Sequence, residues 1–157
     1  MMSRRKRWPR TTLGPLVDFL ERMHPEGINE DAAGSLIGMS AKSFSSMFMK
    51  DNTRLSRVEN IARSYGMELC LIYIPEKPYS EGNNKLYDFP NAGNLQGIVE
   101  YCNKTNRTLN AIASEVGCKR DTIKHALETG DIMLDILERI TFGIGLRIKW
   151  SFIETGN

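Results

Sequence analysis

The feature that most constrains this chain is an internal repeat. One segment recurs 79 positions later with glycines at matching positions. Residues 32–48 read AAGSLIGMSAKSFSSMF, and residues 111–127 read AIASEVGCKRDTIKHAL. The match runs without insertion from residues 14–75 to residues 93–154. Glycine closes helices through the left-handed conformation, so glycines in register indicate a repeated unit: Gly14/Gly93, Gly38/Gly117 and Gly66/Gly145. Chance similarity within one helical domain is the alternative.

The first copy has the pattern of four helices followed by one strand. Apolar residues recur at helical spacing in four segments, residues 15–24, 30–37, 41–49 and 54–65. Asn29 and Ser40 are the predicted N-caps of the second and third helices. Residues 69–74 are continuously apolar and stop at Pro75, which favours a strand.

The second copy repeats this pattern after a stretch rich in Pro, Asn, Gly and Ser. Asn94 and Thr108 are predicted N-caps, and Gly117 is the predicted turn between the second and third helices. Residues 146–153 alternate between apolar and polar side chains, which is typical of a half-buried strand. Isolated strands leave backbone groups unpaired, so we expect the two strands to pair within the chain as a pseudo-dimer. Pairing between two chains, in a homodimer, is the alternative.

The net charge of +2 conceals a local asymmetry. Residues 1–78 carry 12 Lys/Arg against 9 Asp/Glu, whereas residues 79–157 carry 9 against 10. The start is the most basic part, which predicts an arm over residues 1–12 that contacts an anionic partner; a solvated terminus is the alternative. The cations of this arm are Arg4, Arg5, Lys6, Arg7 and Arg10.

Several classes of protein are excluded by what the sequence lacks. No apolar run approaches the ~20 residues of a membrane span, and no apolar segment follows the basic start as in a secretory signal. Cys70, Cys102 and Cys118 lack CxxC spacing, so we expect buried, reduced thiols in the cytoplasm and no metal site. P-loop, HExxH and GxSxG motifs are absent, so we expect neither enzymatic activity nor a cofactor. No ligand pocket is evident.

Both copies satisfy the spacing of a helix-turn-helix. This motif has a small residue in its first helix, a Gly four positions later and a large apolar residue six positions after that. The small residue allows the helices to cross closely, the Gly supplies positive φ, and the apolar residue fixes the second helix to the core. The matching residues are Gly34, Gly38 and Phe44 in the first copy and Ala113, Gly117 and Ile123 in the second.

At these positions the chain resembles the lambda-repressor/Cro-like (XRE-type) family of DNA-binding proteins. The resemblance is carried by LNAIASEVGCKRDTIKHALETG and, more loosely, by EDAAGSLIGMSAKSFSSMFMKD. It implies a mostly α fold with a little β structure, in which two helix-turn-helix units are each followed by one strand. The expected segments are an arm (residues 1–12), a first unit (13–75), a linker (76–92) and a second unit (93–157).

In that family the helix after the Gly turn enters the major groove and its first exposed residues contact base edges. Carried over, the resemblance implies DNA contacts in the second copy from Lys119, Arg120, Asp121, Lys124 and His125. In the first copy it implies contacts from Ser40, Ala41, Lys42, Ser45 and Ser46. The family's frequent Gln at the start of this helix is replaced by Ala41 and Arg120. Gly34 stands where Ala is usual, which weakens its helix by about 1 kcal/mol.

The resemblance therefore implies sequence-specific binding of double-stranded DNA by a small bacterial or phage-encoded repressor. Two unlike copies predict an imperfect palindrome, with half-sites about 34 Å apart. An antitoxin-like or phage-type adaptor that binds a protein through the same fold is the alternative, because fold does not fix function. Sequence-neutral coating of DNA is a third possibility.

Overall fold

The computed structural model describes residues 8–76, 94–104 and 108–155, and within them the chain forms eight helices and two strands. The first half contributes α1 (Gly14–Met23), α2 (Glu30–Ser35), α3 (Ala41–Lys50), α4 (Leu55–Ser64) and β1 (Met67–Pro75). The second half contributes α5 (Gln96–Lys104), α6 (Leu109–Val116), α7 (Arg120–Thr129), α8 (Leu134–Gly143) and β2 (Leu146–Glu154). The expectation of a mostly helical chain with a little β structure is confirmed.

The elements of the two halves recur at the offset of 79 residues that the sequence shows. α3 and α7 begin and end at positions 79 apart, and the same is true of α4 and α8 and of β1 and β2. α2 and α6 begin at equivalent positions but end differently. The repeat in the sequence therefore corresponds to a repeat in the secondary structure.

Side-chain caps begin three of the helices, as predicted. Oxygens of Asn29, Ser40 and Thr108 each accept a hydrogen bond, at 3.1 Å, from the backbone N–H three residues further on. These bonds satisfy N–H groups that the first turn of a helix leaves without an intrahelical partner.

The prediction that Asn94 caps α5 is wrong. Its side-chain oxygen accepts a hydrogen bond from the N–H of Leu71 at 3.0 Å, and its carbonyl accepts one from the hydroxyl of Tyr73 at 2.5 Å. α5 then begins at Gln96. The reason is that alternate N–H groups of β1 point away from β2, and Asn94 satisfies one of them.

Left-handed backbone conformations recur at equivalent positions in the two halves. Gly38 (φ 74°) and Gly117 (φ 72°) form the turns after α2 and α6. Asp51 (φ 56°) and Gly130 (φ 74°) end α3 and α7. Asp is among the few residues with a side chain that adopt this conformation, and its equivalent in the second half is a glycine.

The chain divides into two compact units, and the first consists of residues up to Leu69 together with residues from Phe152 onward. Its core contains stacked aromatic rings. Trp8 stacks on Phe48 with ring centroids 4.4 Å apart, and Phe19 stacks on Phe152 at 4.1 Å. Large planar side chains thus fill the space between the helices of this unit.

The second unit comprises Cys70–Ser151, and its core is mainly aliphatic. Its buried side chains include Ile98, Ile112, Ile123, Leu134, Leu137, Ile140 and Ile144. Cys102 is buried as predicted, whereas Cys70 and Cys118 are only half-buried, so the expectation of three buried thiols is wrong for two of them.

β1 and β2 form a two-stranded sheet, so the predicted pairing of the strands within one chain is confirmed. Glu76 N–H donates to Gly145 O at 2.9 Å, and Thr155 N–H donates to Gly66 O at 3.2 Å. These bonds fix an antiparallel register. The predicted segments 13–75 and 93–157 differ from the compact units. The first unit includes the end of β2, from Phe152, and the second unit includes β1 from Cys70 onward.

Among the described residues, no helix has the length and apolar character needed to cross a bilayer.

Candidate nucleic-acid interface

α7 is held against α6 by a tight turn. Gly117 adopts the left-handed conformation, and Cys118 N–H donates to the carbonyl of Ala113 at 3.1 Å. Ala113 and Ile123 are both buried. The positive φ that the spacing predicted at Gly117 is confirmed.

The inner face of α7 is apolar and its outer face is charged. Ile123 and Ala126 are 3% and 5% exposed, which fixes the rotation of the helix about its axis. Asp121, Lys124 and His125 therefore point outward, because the helix repeats every 3.6 residues, whereas Lys119 and Arg120 are exposed because they lie at the N-terminal end of the helix. All five side chains that the resemblance singled out in this half are exposed: Lys119, Arg120, Asp121, Lys124 and His125.

These five residues can form hydrogen bonds to an external partner. None of the side chains of Lys119, Arg120 and Lys124 has a hydrogen bond or ion pair to another residue that the structure describes. Arg and Lys donate to guanine O6 and N7 and also pair with phosphates. These five residues include three cations and one carboxylate, and the three cations lie at or near the N-terminal end of α7, which favours an anionic ligand there.

In the corresponding turn of the first unit, the backbone of Met39 lies close to Gly34. A Cβ atom on Gly34 would lie 2.6 Å from the carbonyl oxygen of Met39. The carbonyl of Gly34 itself accepts the N–H of Met39 at 2.8 Å. Glycine at this position therefore has a packing reason, which the sequence comparison with a usual Ala did not reveal.

The outer face of α3 is less exposed than that of α7. Lys42 is exposed, whereas Ala41, Ser45 and Ser46 are half-buried. The oxygen of Ser40, predicted to contact DNA, also accepts the N–H of Ser43 as the helix cap. A cavity of about 570 Å³ lies along this face, and its lining residues are Trp8, Glu30, Ala41, Lys42, Ser45, Ser46 and Met49. With Glu30 beside it, this face lacks the cationic character of the one on α7.

The segment before α1 is packed, so the prediction of a free arm over all of residues 1–12 is wrong for its last part. Trp8 is 3% exposed and stacks on Phe48. The N–H groups of Thr12 and Leu13 donate to the carboxylate of Asp51 at 3.0 and 2.9 Å, and the Thr11 hydroxyl donates to it as well. Burial of one aromatic ring and bonds to one carboxylate hold this segment against the end of α3.

Arg10 also belongs to this packed segment. Its guanidinium contacts Glu21 at 2.6 Å and Asp18 at 3.3 Å. Because its charge is paired with two carboxylates of α1, we correct its placement among the free cations of the arm. The other arm cations, Arg4, Arg5, Lys6 and Arg7, lie outside the described residues.

Trp8 and Asp51 are the residues of this region that sequence reasoning missed. The signal for Trp8 was a large aromatic side chain next to a basic run, which charge patterning alone does not explain. The signal for Asp51 was its position 79 residues before Gly130, which the helix-end pattern marks as a left-handed site.

Comparison with known proteins finds no matching family model, no similar curated protein and no similar solved structure. Within the described residues, no three His, Cys, Asp or Glu side chains group closely enough to hold a metal ion.

Proposed function

We propose that each compact unit is a lambda-repressor/Cro-like helix-turn-helix domain, and that the chain binds double-stranded DNA in a sequence-specific manner as a small transcriptional repressor. In this proposal α3 and α7 are the recognition helices. α7 makes the stronger base contacts, and the first unit contributes mainly register and phosphate contacts.

The observation that carries the proposal is the exposed, cationic N-terminal end of α7. Ile123 and Ala126 fix the helix to the core, while Lys119 at its N-cap, Arg120 at its first position and Lys124 one turn further are exposed. A helix that presents cations from its first turn, directly after a tight turn, suits insertion into the major groove. Arg120 is best placed for bidentate contact with a guanine, because it is the first residue of the helix.

The repeat in secondary structure supports two such helices in one molecule. α3 and α7 occupy equivalent positions, yet their outer residues differ at every position that the resemblance singled out. Two unlike recognition helices predict two unlike half-sites rather than a perfect palindrome. Half-sites of this family are about 10 base pairs apart, centre to centre.

The packing of Trp8 supports a role for the basic residues before it. Trp8 stacks on Phe48 of α3, and Arg4, Arg5, Lys6 and Arg7 come shortly before it in the sequence. They suit phosphates or the narrow minor groove of A·T tracts.

Selection of bound fragments from a random pool of double-stranded DNA tests the proposal. We expect enrichment of a motif with two unlike halves about one helical turn apart, the more strongly specified half belonging to the second unit. A footprint that covers one half-site per chain would rule out the two-helix arrangement. Recovery of unenriched DNA would favour sequence-neutral coating, and recovery of no DNA would reject DNA binding.

A protein-binding adaptor is the second candidate, and one feature of the first unit favours it. Met49 on α3 and Leu36 in the turn before it are each 54% exposed. Exposed apolar side chains beside a nearly neutral helix suit a protein surface better than a phosphate backbone. If this candidate is right, Met49→Lys and Leu36→Lys will abolish partner binding, whereas Arg120→Ala will not affect it.

A further inference from the structure

The second unit contains an apolar cavity of about 400 Å³ within its helical core. α5, α6, α7 and α8 all contribute to its wall. The lining side chains are Leu95, Ile98, Val99, Cys102, Thr108, Ile112, Ile123, Ala126, Leu127, Ile132, Leu137 and Ile140. None of these described lining residues carries a charge, and Thr108 supplies a hydroxyl.

Three lining positions on the third helix of the unit hold smaller side chains than their equivalents in the first unit. Ile123 and Leu127 correspond, 79 residues earlier, to Phe44 and Phe48, and Ala126 corresponds to Met47. Both phenylalanines are 0% exposed, whereas Leu127 is only half-buried. The same inner face of the third helix therefore fills the core in one unit and leaves a cavity in the other.

A cavity of this size is unfavourable when empty. The cavity is partly open to solvent, since Thr108 of its lining is exposed and Val99 and Leu127 are half-buried. Apolar side chains that face unfilled space lack the contacts that a packed core gives them. An apolar group in the cavity would supply those contacts and stabilise the unit.

We infer that the second unit binds an uncharged, mainly aliphatic small molecule with one polar end. An engineered apolar cavity of about 150 Å³ takes benzene, which has six non-hydrogen atoms. In proportion, a cavity of about 400 Å³ holds roughly sixteen non-hydrogen atoms. A charged ligand is excluded, because burying an unpaired charge costs more than apolar contacts return. Thr108, whose hydroxyl oxygen also accepts the N–H of Ala111, supplies the polar group of the lining. The inference stands on the cavity itself and does not depend on DNA binding.

Methyl-resolved NMR of the full chain during titration with decanol tests this inference. We expect saturable shifts at one site for the methyls of Ile98, Ile123 and Leu137, with none for Val58 or Ile61 of the first unit. Decanoate at neutral pH, which has the same chain length and a charge, should bind far more weakly. No saturable shift in the second unit would show that the protein fills this space itself, and would overturn the inference.

A variant that imports the first unit's packing provides a matched control. Ala126→Met with Leu127→Phe places in the second unit the side chains that Met47 and Phe48 provide in the first. Methionine fills roughly three methylene-sized positions, each worth about fourfold in affinity, so decanol binding should fall by roughly sixtyfold. Glu128→Ala, on the exposed side of α7, should bind as the unmodified chain does. Equal affinity in the filled variant, with its helical circular dichroism intact, would locate binding elsewhere and overturn the inference.

Discussion

The ring of Phe152 stacks on the ring of Phe19, with centroids 4.1 Å apart and planes inclined by 16°. These residues are far apart in the chain, since Phe19 lies on α1 and Phe152 near the end of β2. A half-buried side chain that follows all of the second half's helices therefore packs against the core of the first unit. Stability of the first unit depends on the register of the sheet as well as on its own helices.

Replacement of Phe152 should destabilise the first unit selectively. We expect Phe152→Ala to lower its free energy of unfolding by about 2 kcal/mol, because a half-buried ring is truncated and Phe19 is left without its stacked partner. Trp8 lies in the first unit and Trp150 in the second, so fluorescence in a Trp150→Phe background reports on the first unit alone. Ile153→Ala is the control, since Ile153 is 51% exposed and should change stability by less than about 0.5 kcal/mol. Equal losses for the two variants would contradict the role of the stack.

Substitution of Gly34 by alanine separates helix propensity from packing. Propensity alone predicts that Gly34→Ala stabilises α2 by about 1 kcal/mol. The added Cβ would lie 2.6 Å from the Met39 carbonyl oxygen, which is backbone and cannot rotate away. We therefore expect a net loss of about 1–3 kcal/mol in urea unfolding. Ser35→Ala, one residue along the same helix, should be nearly neutral or slightly stabilising, and a stabilising Gly34→Ala would show that the turn relaxes freely.

Stability of the first unit should decline in alkaline solution through Tyr65. Its hydroxyl lies 2.5 Å from Nε2 of His24, and burial raises the pKa of Tyr65 above its usual 10.0. The folded chain then holds this proton more tightly than the unfolded chain, so stability is retained below pH 10 and falls as the pH rises from there through the raised pKa. Tyr65→Phe should remove this part of the decline. Denaturant midpoints against pH, compared between the two chains, measure the difference, and parallel curves would assign the decline to other groups.

Base recognition by α7 predicts a sequence-dependent effect of Arg120. On the selected DNA site, Arg120→Ala should weaken binding by about 1–3 kcal/mol and relax the preference at one base position. Binding to random DNA should change much less. Glu128→Ala, also exposed on α7, should leave the preference intact. Equal losses on selected and random DNA would mean that Arg120 contacts phosphate instead.

Removal of the basic start should act on all sequences alike. Deletion of residues 1–7 retains Trp8 and should weaken binding to selected and random DNA together. The slope of the salt dependence should flatten by roughly 0.9 for each phosphate that the removed cations neutralised. Arg10→Ala is the matched control, because Arg10 is paired with Glu21 and Asp18 and should leave the salt slope unchanged. A reduced slope in Arg10→Ala would show that this pairing opens when DNA binds.

Much of the local structure follows from the sequence, because it depends on neighbouring residues. Asn29, Ser40 and Thr108 cap helices in the structure, and an N-cap needs only a short polar side chain at a helix start. Gly38 and Gly117 adopt positive φ for a similarly local reason. Asn94 has the same chemistry as Asn29, but it bonds to β1; a contact across 23 residues is invisible to local patterns.

The candidate interface was predictable to a different extent in the two units. On α7 the resemblance placed Lys119, Arg120 and Lys124 among the exposed residues, and the structure shows all three exposed. On α3 the resemblance placed Ser45 and Ser46 among the exposed residues as well, yet both are half-buried beside Trp8 and Glu30. Matching positions in a motif do not reveal what the rest of the chain places over them.

By itself, the sequence determined the repeat, the order of the elements, the helix ends and the charged face of α7. These depend on side-chain periodicity and backbone preference, which act over one or two helical turns. Only the tertiary structure decided the burial of Trp8, the pairing of Arg10, the need for Gly34, the Phe19–Phe152 stack and the cavity in the second unit. Each of these depends on how volumes and charges from distant segments meet, and close packing makes that outcome sensitive to single side chains.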